Sequence, residues 1–368
     1  MKRMLCIVSS MDRGGAETFL MKIYRCLYKN EYQMDFCVSK KEKGFYDEEI
    51  LSQGGKIFYV PPKSKNPFKT FIEIKKIVKS ENYNYVLRTS QQSLAALDLL
   101  AAKLGGAKVL IYRSSNAGMT GNKINKIINK FFSFLPKIIP NVKIAPSTEA
   151  AEFVFGKNAV KKGKVKIIHN ALDYKLFKFN KNIRNRVRNE LGIKDQVVLY
   201  GHIGRFNIQK NHLFLLDIFN EILKREKNSM LLLIGEGEEK IKIISKIKEL
   251  KLEKSVIILK PQPNANEYLM AMDKLIFPSL FEGMPNIVIE AQATGLPCYV
   301  SSTITKEAKI TNLVKYISLT EKITNWAEII LNDKLITRRS YEKDFFEKKY
   351  MIEEISEEFV KECFKEVK

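Results

Sequence analysis

Leu275-Ile276-Phe277-Pro278-Ser279-Leu280-Phe281-Glu282-Gly283-Met284-Pro285-Asn286-Ile287-Val288-Ile289-Glu290-Ala291-Gln292-Ala293-Thr294-Gly295 reads as a strand, a turn and a helix in succession. Leu275 to Phe277 is a short apolar run of strand type. The helix opens near Pro285 or Asn286 and stops at Gly295, because proline suits a first helical turn and glycine the residue just past a last one. Short β-rich runs alternate with amphipathic stretches of helical length along the whole chain, which predicts an α/β protein with parallel sheets.

Working outward, the second half supplies strands at Val197–Gly201, Leu231–Ile234, Val256–Leu259, Leu275–Phe277, Cys298–Val300 and Tyr316–Leu319. The first half supplies Leu5–Ser9, Met34–Val38, Lys56–Val60, Tyr85–Arg88, Val109–Tyr112 and Val142–Ala145, with a helix from about Glu17 to Leu27 marked by Phe19, Leu20, Ile23 and Leu27. A chain of 368 residues is long for one core, and two strand series predict two doubly wound domains facing a cleft. The polar, basic stretch Lys178–Lys194 is the expected connection between them. The expected division is 1–172, 173–337 and a charged helical segment 338–368, where Tyr350, Ile352, Ile355, Phe359 and Cys363 recur at mostly helical spacing and need something to pack against.

Composition narrows the classes. Hydrophobic residues make up 45% and charged residues 28%, which excludes disorder, collagen and a disulfide-dense miniature. The five cysteines lack C-x-x-C spacing, and Cys6, Cys37 and Cys298 fall in strand-like runs, so they read as reduced core thiols. Three histidines without metal-site spacing predict no metal. The N-terminal apolar run is too short for a signal peptide and no run reaches transmembrane length, which leads to the expectation of a cytoplasmic protein touching membranes only peripherally. The net charge of +22 suits anionic surfaces, although an AT-rich coding sequence accounts for the lysines equally well. No nucleic-acid motif accompanies it.

In open parallel sheets ligands sit beyond the carboxyl ends of strands. After the first strand, Gly14-Gly15-Ala16 precedes a helix and offers backbone N–H groups to an anion, or simply makes a tight turn. After the first strand of the second half comes Gly201-His202-Ile203-Gly204-Arg205-Phe206-Asn207-Ile208-Gln209-Lys210, where the Arg205 fork and the mobile Lys210 cation suit a diphosphate. Glu290 lies one turn from Asn286 on one helix face, and Glu282 precedes it in the loop. Their alternative readings are a first-turn helix glutamate and a solvent-facing loop acid.

At this segment the sequence resembles the retaining family 4 glycosyltransferases of GT-B fold, whose motif sets two glutamates eight positions apart, as Glu282 and Glu290 stand. The resemblance extends over nearly the whole chain in order, through Gly14-Gly15-Ala16, Gly201 to Lys210, Leu232-Leu233-Ile234-Gly235-Glu236-Gly237 and Phe281 to Gly295. Glu290-Ala291-Gln292-Ala293-Thr294-Gly295-Leu296-Pro297 is similar to capsular and exopolysaccharide transferases.

The resemblance implies a nucleotide-sugar donor, uridine diphosphate by family habit, a lipid-linked or growing glycan acceptor, and neither cofactor nor metal. Glu282, Arg205 and Lys210 would be catalytic, with Arg205 and Lys210 holding the diphosphate and Gly204, Gly235 and Glu236 nearby. Glu290 would hold the ribose, and Glu282 with the Gly283, Met284, Pro285 and Asn286 backbone the donor sugar. Gly14 and Gly15 would close on the phosphates. Domain 1–172 would take the acceptor, 173–337 the donor, and the terminal helix would cross back to the first domain.

Two departures stand out. Close relatives often carry a histidine in the loop after the fifth strand, where this chain has Arg113-Ser114-Ser115-Asn116, so Arg113, Ser115 and Asn116 become the acceptor-side candidates. Ala171 stands where many relatives have glycine. The missing histidine supports a catalytically silent paralogue as the alternative, with a nucleotide-sugar epimerase beside it. A nicotinamide oxidoreductase is disfavoured, because no loop reads G-x-G-x-x-G. Finally, Asn122–Lys143 mixes Lys123, Lys126, Lys130 and Lys137 with Ile124, Ile127, Ile128, Phe131, Phe132, Phe134 and Leu135. That pattern suits an anionic membrane surface or a helix burying the same apolar side.

Overall fold

The computed structural model describes residues 1–12, 14–27, 31–39, 42–116, 118 and 123–365. The chain divides into two compact units, Met1–Ala171 with Lys349–Lys368, and Leu172–Lys348. In the first unit the strands are β1 (Lys2–Val8), β2 (Tyr32–Val38), β3 (Ile57–Tyr59), β4 (Tyr85–Thr89), β5 (Val109–Arg113), β6 (Val142–Ala145) and β7 (Lys166–Ile167). In the second they are β8 (Val198–Ile203), β9 (Ser229–Ile234), β10 (Val256–Leu259), β11 (Lys274–Phe277), β12 (Cys298–Ser301) and β13 (Val314–Ile317). The final strand thus lies earlier than its sequence reading, and the two-residue β7 is too short to show a pattern.

The sheet orders are β3-β2-β1-β4-β5-β6-β7 and β10-β9-β8-β11-β12-β13, and the strand pairs are parallel. Each unit is therefore doubly wound, with its order reversing at its first strand. The reversal sends the connections after β1 and β4, or after β8 and β11, to opposite faces and leaves a crevice at the strand ends between them. In the second unit the residues bounding that crevice are those after Ile203 and after Phe277.

Strand alternation builds a core on each side of the first sheet. Met4, Cys6 and Val8 join the cluster containing Phe19, Leu20 and Ile23, and Leu5 and Ile7 join the one containing Ile74, Leu99 and Tyr112. The terminal stripe completes the first of these: Ile352–Cys363 is a helix whose Ile355, Phe359 and Cys363 are buried, with the Phe359 ring edge-on to Phe19 at 6.0 Å. Cys6, Cys37 and Cys298 are buried free thiols. Among the described residues no helix is long and apolar enough to cross a membrane.

The stretch read as a connection is instead part of the second unit. Lys181–Glu190 is a helix capped by the Asn180 side chain. Arg184 and Arg188 pair with Asp273 at 2.8 and 3.2 Å and donate to the carbonyls of Met270 and Ala271, where a helix C-terminus favours cations. Its apolar content is low because ion pairs and carbonyl caps, rather than an oily stripe, fasten it. The terminal segment also divides. Residues up to Lys348 stay with the second unit, since Arg338 donates to the Leu269 and Thr294 carbonyls, the Tyr341 amide donates to the Tyr174 hydroxyl, and Phe345 is buried beside Tyr174.

Candidate active site

The helix read from Pro285 to Gly295 is Asn286–Ala293. It ends in a glycine cap: Gly295 has φ +73°, its amide reaches Gln292 O at 2.9 Å, and the Leu296 amide reaches Ala291 O at 3.0 Å. With the helix starting at Asn286, Glu290 belongs to its second turn, so first-turn dipole stabilisation is not its role. Glu290 is half-buried, and Gly283, Met284 and Pro285 are buried ahead of the helix.

Facing this segment is the loop after β8. Asn207 caps a short turn of 3-10 helix, Ile208–Lys210, by accepting from the Lys210 amide at 3.1 Å, and Asn211 follows in the left-handed region at φ +57°. Three hydrogen bonds lace the two loops: Leu280 N to Gln209 O at 2.8 Å, Gln209 Nε2 to Phe281 O at 2.9 Å, and Asn211 Nδ2 to Pro278 O at 3.2 Å. Lacing of this kind fixes where the side chains on both loops project.

The result is a buried ion pair. Lys210 Nζ donates to Glu282 Oε1 at 2.7 Å, with the side chains 16% and 9% exposed, and the ammonium lies 4.5 Å from the centre of the Phe277 ring. Glu282 is therefore not the solvent-facing acid of its alternative reading. An ammonium has three donors, and Glu282 is the one side-chain acceptor Lys210 meets among the described residues, so the cation can still bind an anion. Arg205 stands exposed on the same loop with no carboxylate partner among the described residues.

Gly235 and Gly237 serve close packing. A Cβ on Gly235 would stand 2.0 Å from Gly204 O, and one on Gly237 2.3 Å from Phe206 O, because the loop after β8 crosses directly over them and hydrogen-bonds from Phe206 N to Glu236 O at 2.9 Å. The Glu236 side chain turns to Lys240 at 2.9 Å. A Cβ on Gly204 would come within 3.2 Å of Lys210 Cε and 3.3 Å of His202 Nε2, so this position holds the cation's stem close to the backbone.

Beneath the pair lie two histidines that the sequence reading left without a role. His202 Nδ1 bonds Ile276 O at 2.9 Å and its ring stacks on Phe277, while His212 packs edge-on against His202 and Phe206. Burial, with the Lys210 charge nearby, pushes His202 down to about 3 and His212 down to about 2. Both are neutral near pH 7. Their signal in the sequence is only that each flanks the Gly204–Lys210 loop. Ser279 Oγ, also buried here, has no hydrogen-bond partner among the described residues.

In the first unit, Gly14 is the N-cap of the helix Gly15–Cys26, extended at φ −101° and without a side-chain cap. Arg113 corrects its expectation as an acceptor contact. It lies inside the unit, 3.9 Å from the centre of the Phe19 ring and 2.7 Å from Asn170 Oδ1, and burial pushes it down to about 9, still charged near neutrality. A side chain so enclosed positions the segment at Asn170 and does not meet an acceptor. Ser115 donates to Gln91 Oε1 at 2.7 Å and, with the half-buried Asn116, remains near the surface.

Residues 197–331 match the sequence model of the family described as Glycosyl transferases group 1. EpsF of Bacillus subtilis (strain 168), a glycosyltransferase by name, is 32% identical over 89% of this chain and 87% of its own length. The UDP-Gal:alpha-D-GlcNAc-diphosphoundecaprenol alpha-1,3-galactosyltransferase of Escherichia coli is 27% identical over 75% of this chain and 73% of its own. Among solved structures, Anabaena Alr3699/HepE in complex with UDP-glucose matches with a TM-score of 0.74 at 17% identity, over 99% of this chain and 96% of that one. The chain belongs to the group 1 glycosyltransferases and has the GT-B architecture of paired Rossmann-like units.

Proposed function

We propose that the protein is a retaining, metal-independent transferase that moves a sugar from a nucleotide diphosphate sugar, uridine-linked, to a hydroxyl of a lipid-linked or growing polysaccharide. The observation that carries this reading is the Lys210–Glu282 pair at the crevice of the second unit. The pair neutralises both charges. When a diphosphate arrives, Lys210 and Arg205 turn to its oxygens and Glu282 is released towards the sugar hydroxyls, with the Gly283 to Asn286 backbone beside it. Glu290 takes the ribose.

The acceptor hydroxyl oxygen then bonds to the anomeric carbon as the bond from that carbon to the diphosphate oxygen breaks, and the hydroxyl proton passes to the leaving phosphate. Negative charge grows on the diphosphate during this step, so cations already in place stabilise the transition state more than the ground state. The uridine and diphosphoundecaprenol in the Escherichia coli relative's name, and the UDP-glucose held by HepE, support the choice of donor and acceptor. A lipid-linked acceptor suits a protein working at the cytoplasmic face of a membrane.

Thermal unfolding against a panel of nucleotide sugars tests the donor site. A bound donor at a hundredfold excess over Kd stabilises by about 2.7 kcal/mol, and Glu290→Ala and Arg205→Ala/Lys210→Ala should abolish that gain. Transfer of the selected sugar to an undecaprenyl-diphosphate-linked glycan, with anomeric configuration read by NMR, completes the test. A folded protein that responds to no nucleotide sugar would sink the donor-site assignment. Binding without transfer to any acceptor would leave a silent paralogue.

A further inference from the structure

The helix Lys123–Phe131 carries Ile124, Ile127, Ile128 and Phe131 at three- and four-residue spacing on one side. A helix on a folded unit normally buries such a stripe. Here it is turned outward, with Phe131 73% and Ile127 67% exposed, and what fastens the helix is its polar side: Asn129 Oδ1 accepts from the Ser93 amide at 2.6 Å and the Asn129 carbonyl from Ser93 Oγ at 3.0 Å. The outward apolar row continues through the exposed Phe134 and Ile138. Asn122, which opens this stretch in the sequence, lies outside the described residues.

Lys137, the neighbour of Ile138, opens a surface whose charged side chains are all basic. Lys137, Lys143, Lys157, Lys162 and Lys164 line a hollow of about 460 Å³ that no carboxylate borders. None of these five forms an ion pair among the described residues. Burial, and after it the neighbouring Lys164, push Lys143 below its ordinary value. A second hollow of about 430 Å³ runs beside the helix itself, bordered by Lys126 and Lys130. Ser133 borders this hollow and Lys137, four residues on along the helical turns made by Leu135 N to Phe132 O and Lys137 N to Phe134 O, borders the other, so the two neighbour one another.

We propose that this face of the first unit is a docking surface for an anionic bilayer, with lipid phosphates in the lysine-lined hollow and Ile124, Ile127, Phe131, Phe134 and Ile138 entering the boundary of the acyl chains. Dense phosphate charge next to apolar chains is the combination these two adjoining surfaces complement. A nucleic acid would neutralise the lysines and leave the isoleucine and phenylalanine row in water. The proposal does not rest on the donor-site reading, since all of its residues lie in the first unit.

Co-sedimentation of the full chain with vesicles tests it. Binding is expected to vesicles of phosphatidylcholine mixed with phosphatidylglycerol, not to phosphatidylcholine alone, and to weaken as salt rises. Lys137→Gln/Lys157→Gln/Lys162→Gln should reduce partitioning on the order of a hundredfold. Ile127→Ser/Phe131→Ser should reduce it by at least about tenfold with the salt dependence kept. Thermal unfolding checks that each variant folds, and nucleotide-sugar binding by both should match the wild type, so this proposal and the donor assignment fail separately. Equal binding to neutral and anionic vesicles, no binding, or a lysine variant that binds like the wild type would overturn it. So would tight binding of a single-stranded oligonucleotide that the Ile127→Ser/Phe131→Ser change leaves intact.

Discussion

Lys210 is held by one carboxylate, one aromatic face and the backbone of Gly204, in a setting where water screens little. A charge-assisted hydrogen bond to a ligand in such a place contributes about 1.5–3 kcal/mol. Lys210→Met is therefore expected to lower kcat/KM by roughly ten- to a hundredfold, with the loss in kcat if the contact strengthens as the leaving group gains charge. Steady-state kinetics with the donor varied decide this, and a change below twofold would remove Lys210 from the chemistry. Part of the residue scale was readable in advance. The eight-residue spacing of Glu282 and Glu290 and the cation pair Arg205 and Lys210 are local patterns. The interior position of Arg113 was not readable, because a strand-end arginine looks the same whether it faces solvent or lies against Phe19.

At the scale of elements, the helix Lys181–Glu190 shows how far a segment's role can depart from its composition. Asp273 accepts from Arg184, Arg188 and the Leu199 amide, and so joins that helix to the start of β8. Removing a buried partner leaves uncompensated charge, which typically costs about 3–5 kcal/mol. Asp273→Ala should lower the urea midpoint of the second unit accordingly while first-unit fluorescence or hydrogen exchange is preserved. An unchanged midpoint would show that the helix is held by something else. The helix Asn286–Ala293, by contrast, begins and ends where its proline and glycine indicate, since caps are set by residues within one turn of the terminus.

For the whole molecule, His202 and His212 tie stability to pH. Their folded values of about 3 and about 2 lie below the roughly 6.5 of an unfolded histidine, so the unfolded chain binds more protons between these limits. Stability is thus fully present above about pH 6.5 and falls as pH drops towards 3. Carboxylates titrate nearer pH 4, which leaves the interval between about pH 5 and 6.5 to the histidines. Urea midpoints of the second unit should decline across that interval, and His212→Phe should flatten the decline, because neither ring nitrogen of His212 has a hydrogen-bond partner among the described residues to lose. A midpoint constant from pH 7 to 5 would count against buried neutral histidines. The net charge of +22 acts at the same scale, and five of the lysines that contribute to it line one hollow of the first unit.

The sequence by itself determined the order of the strands other than β7, the glycine stop at Gly295, the two-unit α/β architecture and the loops that carry candidate chemistry. Each of these is set by residues within a few positions of one another: alternation, helical period, caps and motif spacing. Only the tertiary structure decided which of those loops meet. Lys210 and Glu282 are 72 positions apart and become partners because the sheet order places β8 beside β11. The same holds for Arg184 with Asp273, for Phe19 with Phe359, and for Asn129 with Ser93, the contact that turns an apolar helix face outward. Period and composition fix how a segment folds, but the face it shows depends on what strand pairing brings against it.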